Sequence, residues 1–291
     1  MTTPTEPTLL RPREQDLMGL PIRRVLPQSA ARHCGPFVFL DHMGPHTLPK
    51  GQGVDVPPHP HIGLATVTWL FAGKMVHKDS LGSDQVIAPG DLNWMTAGHG
   101  IAHSERSPES ERQIDSPIEG LQFWVAQPEA TETGTPRFEH VAGKDLPHWQ
   151  EAGADWVLVA GEWQTRRAPA EVDSPLALLD SRCQQAGQIT LQKPSETWQW
   201  GLYLLNGELS AQQQPIDKYQ LLVTGESLTI TWEAGAHFVV FGGEPLGPRR
   251  MDWNFVATNT ALIDDARQRW QNHQFDPVPG DDGYVPYPSK Q

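Results

Sequence analysis

Apolar, aromatic and β-branched residues fall in short runs, each closed by Gly, Pro, Asn or Asp. Such bounded runs predict strands: Phe37–Asp41, Leu64–Ala72, Gln85–Ala88, Leu92–Met95, Gly120–Ala126, Trp156–Gly161, Leu176–Asp180, Gln188–Leu191, Gly201–Leu205, Gln220–Val223, Ser227–Trp232 and His237–Phe241. A spacing of about 8–15 residues with turn residues between them is that of an all-β sandwich or barrel. One segment has helical period. Asn259 or Thr260 suits its N-terminus, and Leu262, Ile263, Ala266 and Trp270 recur on one face.

An internal repeat suggests two copies of one fold. Val67–Met75 resembles Gly201–Leu209 as strand, turn glycine and next strand, and Gly90-Asp91 and Gly225-Glu226 each open another strand further on. The polar segment Gln127–Pro136 places the boundary, giving domains 1–135 and 136–291, the second ending in the helix and an extended tail. That tail, His273–Gln291, is rich in Pro, Gly and Asp and is expected to be either loosely draped or disordered.

Composition narrows the function classes. With 291 residues there is room for two ordinary domains, and 38% hydrophobic with 20% charged residues is a globular composition. A formal charge of −13 repels phosphate backbones, so direct nucleic-acid binding is disfavoured. No stretch is long and apolar enough for a membrane helix. Met1–Gln15 is polar, with three prolines, and has no apolar core of a secretory signal, so the expected compartment is the cytoplasm. Cys34 and Cys183 are the two cysteines; they exclude a disulfide framework and read as buried small hydrophobes.

The candidate chemistry lies in histidine spacing. In Pro57-Pro-His-Pro-His-Ile-Gly63 an extended backbone turns His59 and His61 to one face. In Gly98-His-Gly-Ile-Ala-His-Ser-Glu105 the same spacing pairs His103 with Glu105. Two strands each offering two ligands could close on one ion with three nitrogens and one carboxylate oxygen. That set suits iron, nickel, copper, manganese or zinc rather than calcium or magnesium, and leaves positions open for chemistry. An H-x-H pair also arises by chance, so at this point both a metal site and ordinary structural histidines stay open.

The surroundings of these residues resemble the pirin family of the cupin superfamily. The likeness runs through Pro21–Pro27, Gly35–Pro45, His59–Gly63, His77–Gly82, Pro89–Gly98, Gly100–Glu105 and Gly120–Val125, with Phe241–Gly247 near the C-terminus; it covers about residues 20–270. It implies two tandem cupin domains (double-stranded β-helix or jelly-roll), the first holding one mononuclear divalent metal. Iron is the first expectation, with nickel, copper, manganese, zinc or cobalt as alternatives. The family's ligands fall on His59, His61, His103 and Glu105. The general cupin pattern has a carboxylate a few residues beyond H-x-H; Leu64-Ala-Thr66 has none, and Glu105 fills the gap. No imidazole pair occupies the corresponding place in the second domain, where Lys193 and Ser195 stand.

The resemblance further implies quercetin 2,3-dioxygenase activity: a flavonol-like, enolisable substrate opened by dioxygen with release of carbon monoxide, Glu105 acting as base. The alternative is a metal- or redox-responsive regulatory module acting on a transcription factor or a metabolic enzyme, with a protein partner rather than DNA. Several residues carry plainer expectations. His99 reads as wall or support of the site, and His237 as a structural histidine. Asp41 and His42 suit ligand orientation or a turn. His77 and Asp79 suit an exposed hairpin better than a pocket rim. Trp69, Trp94, Phe123 and Trp124 read as core, and Ser107–Ser116 as a surface loop rather than a lid.

Overall fold

A computed structural model describes residues 7–17 and 19–288. Each run read as a strand overlaps one, and the helix is Thr260–Gln271, capped by Asn259, whose Oδ1 accepts from Ala261 N at 2.8 Å. The strands not foreseen include Arg13–Leu17, Arg137–Val141 and His148–Glu151, all polar and all at sheet edges. An edge strand pairs on one side only and stays partly exposed, so it needs no apolar run. Residues 1–6 of the polar start and 289–291 of the tail lie outside the described residues. Among the described residues no helix is long and apolar enough to cross a membrane.

The chain divides into two compact units, and neither is a contiguous half. One comprises Met1–Arg13, Arg24–Leu40 and Lys144–Leu246; the other comprises Glu14–Arg23, Asp41–Gly143 and Gly247–Gln291. This departs from the division expected at 135/136. The first strand, Thr8–Leu10, pairs with Leu221–Thr224, while the C-terminal helix and tail belong to the unit that carries the histidine motifs. Local composition marks a polar linker but not which distant segment completes which core.

In each unit a large antiparallel sheet is accompanied by a four-stranded one. In the histidine-bearing unit the small sheet runs Asp55–His61, Ile101–Arg106, Met75–Asp79, Asp84–Ile87. In the large sheet Leu64–Ala72 is an interior strand, flanked by Leu92–Thr96 and Ser116–Ala126. The outer side of the small sheet is covered by the helix: Ile62 and Ala102 form one apolar cluster with Phe255, Ile263, Ala266 and Trp270. Burying Ile263 is worth about 1.5–3 kcal/mol.

The tail is pinned rather than loose. Tyr284 stacks on Trp270 at 4.7 Å, Trp270 Nε1 donates to Val285 O at 2.9 Å, and Val285 N donates to Pro58 O at 2.9 Å. Arg106 grips Asp281 with two hydrogen bonds, Nε to Oδ2 at 2.6 Å and Nη2 to Oδ1 at 2.9 Å. In the other unit the interior is indole-rich, with Trp156, Trp163, Trp198, Trp200 and Trp232 in one cluster. Both cysteines are buried and free, and burial pushes the thiols up, Cys183 to about 11.

Candidate metal centre

The strand Asp55–His61 carries three prolines, which a central strand would not tolerate because each lacks an N–H. It lies at the edge of its sheet, where that loss is harmless, and proline's restricted φ favours the extended backbone. His59 and His61 therefore face the same side, and both are buried. Gly63 then turns the chain at φ +65°; a Cβ there would stand 2.0 Å from Val256 O. In the neighbouring strand His103 lies directly across from His59. A register shift between His103 and Glu105 leaves both side chains buried.

One ring nitrogen each of His59, His61 and His103 lies within 4.8 Å of the other two. The ring centroids are 4.4 to 5.1 Å apart and none of the pairs is stacked flat. His59 Nδ1 sits 2.9 Å from Pro57 O and His61 Nδ1 3.2 Å from Asn254 O. A carbonyl oxygen only accepts, so both Nδ1 atoms carry the proton and both Nε2 atoms are bare lone pairs. His103 Nε2 is buried and has no hydrogen-bond partner. A buried polar atom left unpaired costs about 1–3 kcal/mol. A cation among these nitrogens removes that penalty.

Electrostatics keep the rings neutral. Burial lowers His103 and His61 well below the ordinary histidine value, and a charge on the neighbouring His59 would lower both further. His59 is lowered by burial too, against a smaller upward pull from Glu105. Three neutral imidazoles are the protonation state that ligation requires.

Glu105 lies beside this group without joining it: among the described residues, the cluster of close ligating atoms comprises the three imidazoles. Its Oε1 accepts from Gln122 Nε2 at 2.9 Å and from Thr68 Oγ1 at 3.4 Å. Gln122 and Thr68 face each other across adjacent strands of the large sheet, so one cross-strand pair holds the carboxylate. Neither residue was singled out by its sequence context.

The expected exposed hairpin is overturned. His77 is 4% and Asp79 0% exposed. His77 stacks flat on Phe138 at 4.2 Å, with Nε2 2.9 Å from Asp79 Oδ2 and Nδ1 3.3 Å from His103 Nδ1. Burial alone would raise Asp79, but the hydrogen bond from His77 and hydrogen bonding by Ser83 outweigh it and hold the carboxyl below its usual value. The His77-x-Asp79 spacing repeats the H-x-H logic and was the available signal. His99, by contrast, is exposed and bonded to Gly134 O at 3.0 Å, and it is not one of the clustered imidazoles. Asp41 and His42 are buried, with His42 Nε2 3.5 Å from Glu119 Oε1. His237 is tied to Asp180 at 2.7 Å. Trp69, Trp94, Phe123 and Trp124 are buried, and Trp124 meets the His61 ring edge-on at 5.2 Å.

Residues 19–125 match the Pirin family model, and residues 178–276 match the pirin C-terminal cupin domain. A pirin-like protein of Caulobacter vibrioides is 38% identical over 264 residues, 89% of this chain and 91% of that one. Pirin-1 of Arabidopsis thaliana is 30% identical over 269 residues, 89% and 90% of the two chains. A crystal structure of a quercetin 2,3-dioxygenase from Acinetobacter baumannii superposes with a TM-score of 0.90 at 34% identity, covering 98% of this chain and 96% of that one.

Proposed function

The chain belongs to the pirin family of the cupin superfamily, and from that premise we propose that it is a metal-dependent dioxygenase of the quercetin 2,3-dioxygenase type. Its substrate is a flavonol-like, enolisable aromatic compound, opened by dioxygen with loss of carbon monoxide. His59, His61, His103 and Glu105 are the residues that would hold one divalent metal, iron in the first place. The observation that carries this reading is the convergence of three neutral imidazoles, two with Nδ1 occupied by a carbonyl and one with a buried, unpartnered Nε2. The same-length relative named as a quercetin 2,3-dioxygenase supports the choice of reaction.

When bound, the ion supplies Lewis acidity that lowers the pKa of a coordinating hydroxyl. The protein's residues do the rest. Glu105, whose Oε1 is held by Gln122 and Thr68, would be the fourth ligand to such an ion and is the base proposed to take the substrate's hydroxyl proton. Removal of that proton leaves an electron-rich enolate, the form of the substrate that reacts with dioxygen. Trp124, edge-on to His61, gives a flat ring an aromatic wall beside the ligands. Protein loaded with iron(II), nickel(II) or manganese(II) is incubated with quercetin in air and without oxygen. Oxygen-dependent loss of the flavonol with evolution of carbon monoxide is expected. Quercetin left intact with every ion sinks the enzymatic reading and leaves a metal-binding regulatory module.

A further inference from the structure

His77 faces two different groups with its two nitrogens, and no ligand role explains either contact. We infer that His77 and Asp79 are positioning residues that hold the proton of His103 on Nδ1 and thereby keep His103 Nε2 a bare lone pair; the inference rests on the metal-centre reading above. A carboxylate only accepts. Asp79 Oδ1 already accepts from Leu81 N at 2.9 Å and Ser83 N at 3.0 Å, so Oδ2 takes the proton of His77 Nε2 at 2.9 Å. His77 is taken as neutral; a neutral imidazole has a single N–H, so its Nδ1 is then an acceptor. The proton in its 3.3 Å contact with His103 Nδ1 then belongs to His103. What remains on His103 is Nε2, the buried atom without a partner.

The geometry is built into the protein. Phe138 stacks on the His77 ring, and the hairpin is bolted to the His103 strand by Ser80, whose N donates to Ala102 O at 2.8 Å and whose Oγ accepts from Ala102 N at 3.2 Å. His59 and His61 take their tautomers from backbone carbonyls, which side-chain substitution does not remove. His103 takes its tautomer from side chains, so its state is open to mutation. Outer partners of this kind change metal affinity about 10–100-fold.

Asp79→Asn separates this role from mere packing. Oδ1 is committed to two backbone N–H groups, so the carboxamide nitrogen takes the place of Oδ2 and donates to His77 Nε2. His77 must then carry its proton on Nδ1 and donate it to His103 Nδ1. His103 is left with its proton on Nε2, where it blocks ligation. Nitrogen-15 NMR of the imidazoles in the metal-free full chain at neutral pH reads this directly. Expected are an Nδ1–H His103 in the wild type and an Nε2–H His103 in Asp79→Asn, with His59 and His61 unchanged. Nickel(II) affinity by calorimetry should fall about 10–100-fold.

His77→Phe is the second variant: it keeps a ring against Phe138 and removes the acceptor, so His103 loses its single tautomer and affinity falls in the same range. A wild-type His103 tautomer and wild-type nickel(II) affinity in these variants overturn the inference. A wild type that binds no divalent ion overturns the metal-centre reading instead, and the tautomer pattern still decides the role of His77.

Discussion

The same small sheet occurs in both units, and its inner face is built from opposite chemistry. In one unit Ile101–Arg106 lies between Asp55–His61 and Met75–Asp79; in the other Leu228–Trp232 lies between Gly187–Leu191 and Leu209–Ala211. His103 is paired across the strands with His59 and Asp79, whereas Ile230 is paired with Ile189 and Ala211. Sheet topology demands a buried inner face but not an apolar one. Where hydrogen bonds or an ion can satisfy every polar atom, imidazoles and carboxylates fill the space that indoles and aliphatics fill elsewhere. The unit without the histidine face has a working core of Trp156, Trp200 and Trp232, and its own His237 is used up by Asp180.

That contrast breaks most visibly at the ligands. His61→Ala should remove metal from the purified protein, weakening affinity by more than the roughly 10–100-fold expected of an outer partner, while His237→Ala should leave metal content unchanged. Elemental analysis of both variants checks it. Next in size is Trp200→Ala, which empties a fully buried site in the other unit. It should cost about 3–5 kcal/mol in denaturant unfolding and yet leave the metal stoichiometry of the folded fraction intact. If it released the metal, the division of labour between the units would fail.

The smallest effect concerns the tail. The hydrogen bond from Arg106 holds Asp281 down at about 2, against the opposing effect of burial. Its folded value is depressed, so its stabilisation is complete above the unfolded carboxyl value of about 3.9 and is lost as pH falls toward 2. Arg106 is 33% exposed, and solvent screening limits the pair to below about 1 kcal/mol. The Tm difference between wild type and Asp281→Asn should therefore be small at neutral pH and shrink through that acidic window. A difference that grew on acidification would contradict the assignment.

The strands that could be read from the chain were those buried enough to need apolar runs, and the helix was legible from its cap and its Ile263, Ala266, Trp270 face. Period two put His59 with His61 and His103 with Glu105 as candidate pairs, and the family likeness joined the two pairs into one expected ligand set. The same period joins His77 to Asp79, but their segment reads as an exposed hairpin. Only the pairing of His103 with Asp79 across two strands brings them inside. Thr68 and Gln122 show the limit from the other side. Each is an ordinary strand residue until register sets them opposite one another under Glu105. Segment exchange between the units lies at the same range: no local composition says that Gly247–Gln291 finishes the unit begun at Glu14.

That exchange has a consequence for biosynthesis. The carbonyl of Asn254 that orients His61, and the helix and tail that back its strand, leave the ribosome after the whole of Lys144–Leu246. Domains that are contiguous in sequence fold one after another as they emerge; here the histidine-bearing unit has to wait until the segment after Leu246 has emerged. Nascent chains stalled before residue 247 would therefore present His59, His61 and His103 without the Asn254 carbonyl and the helix that brace them.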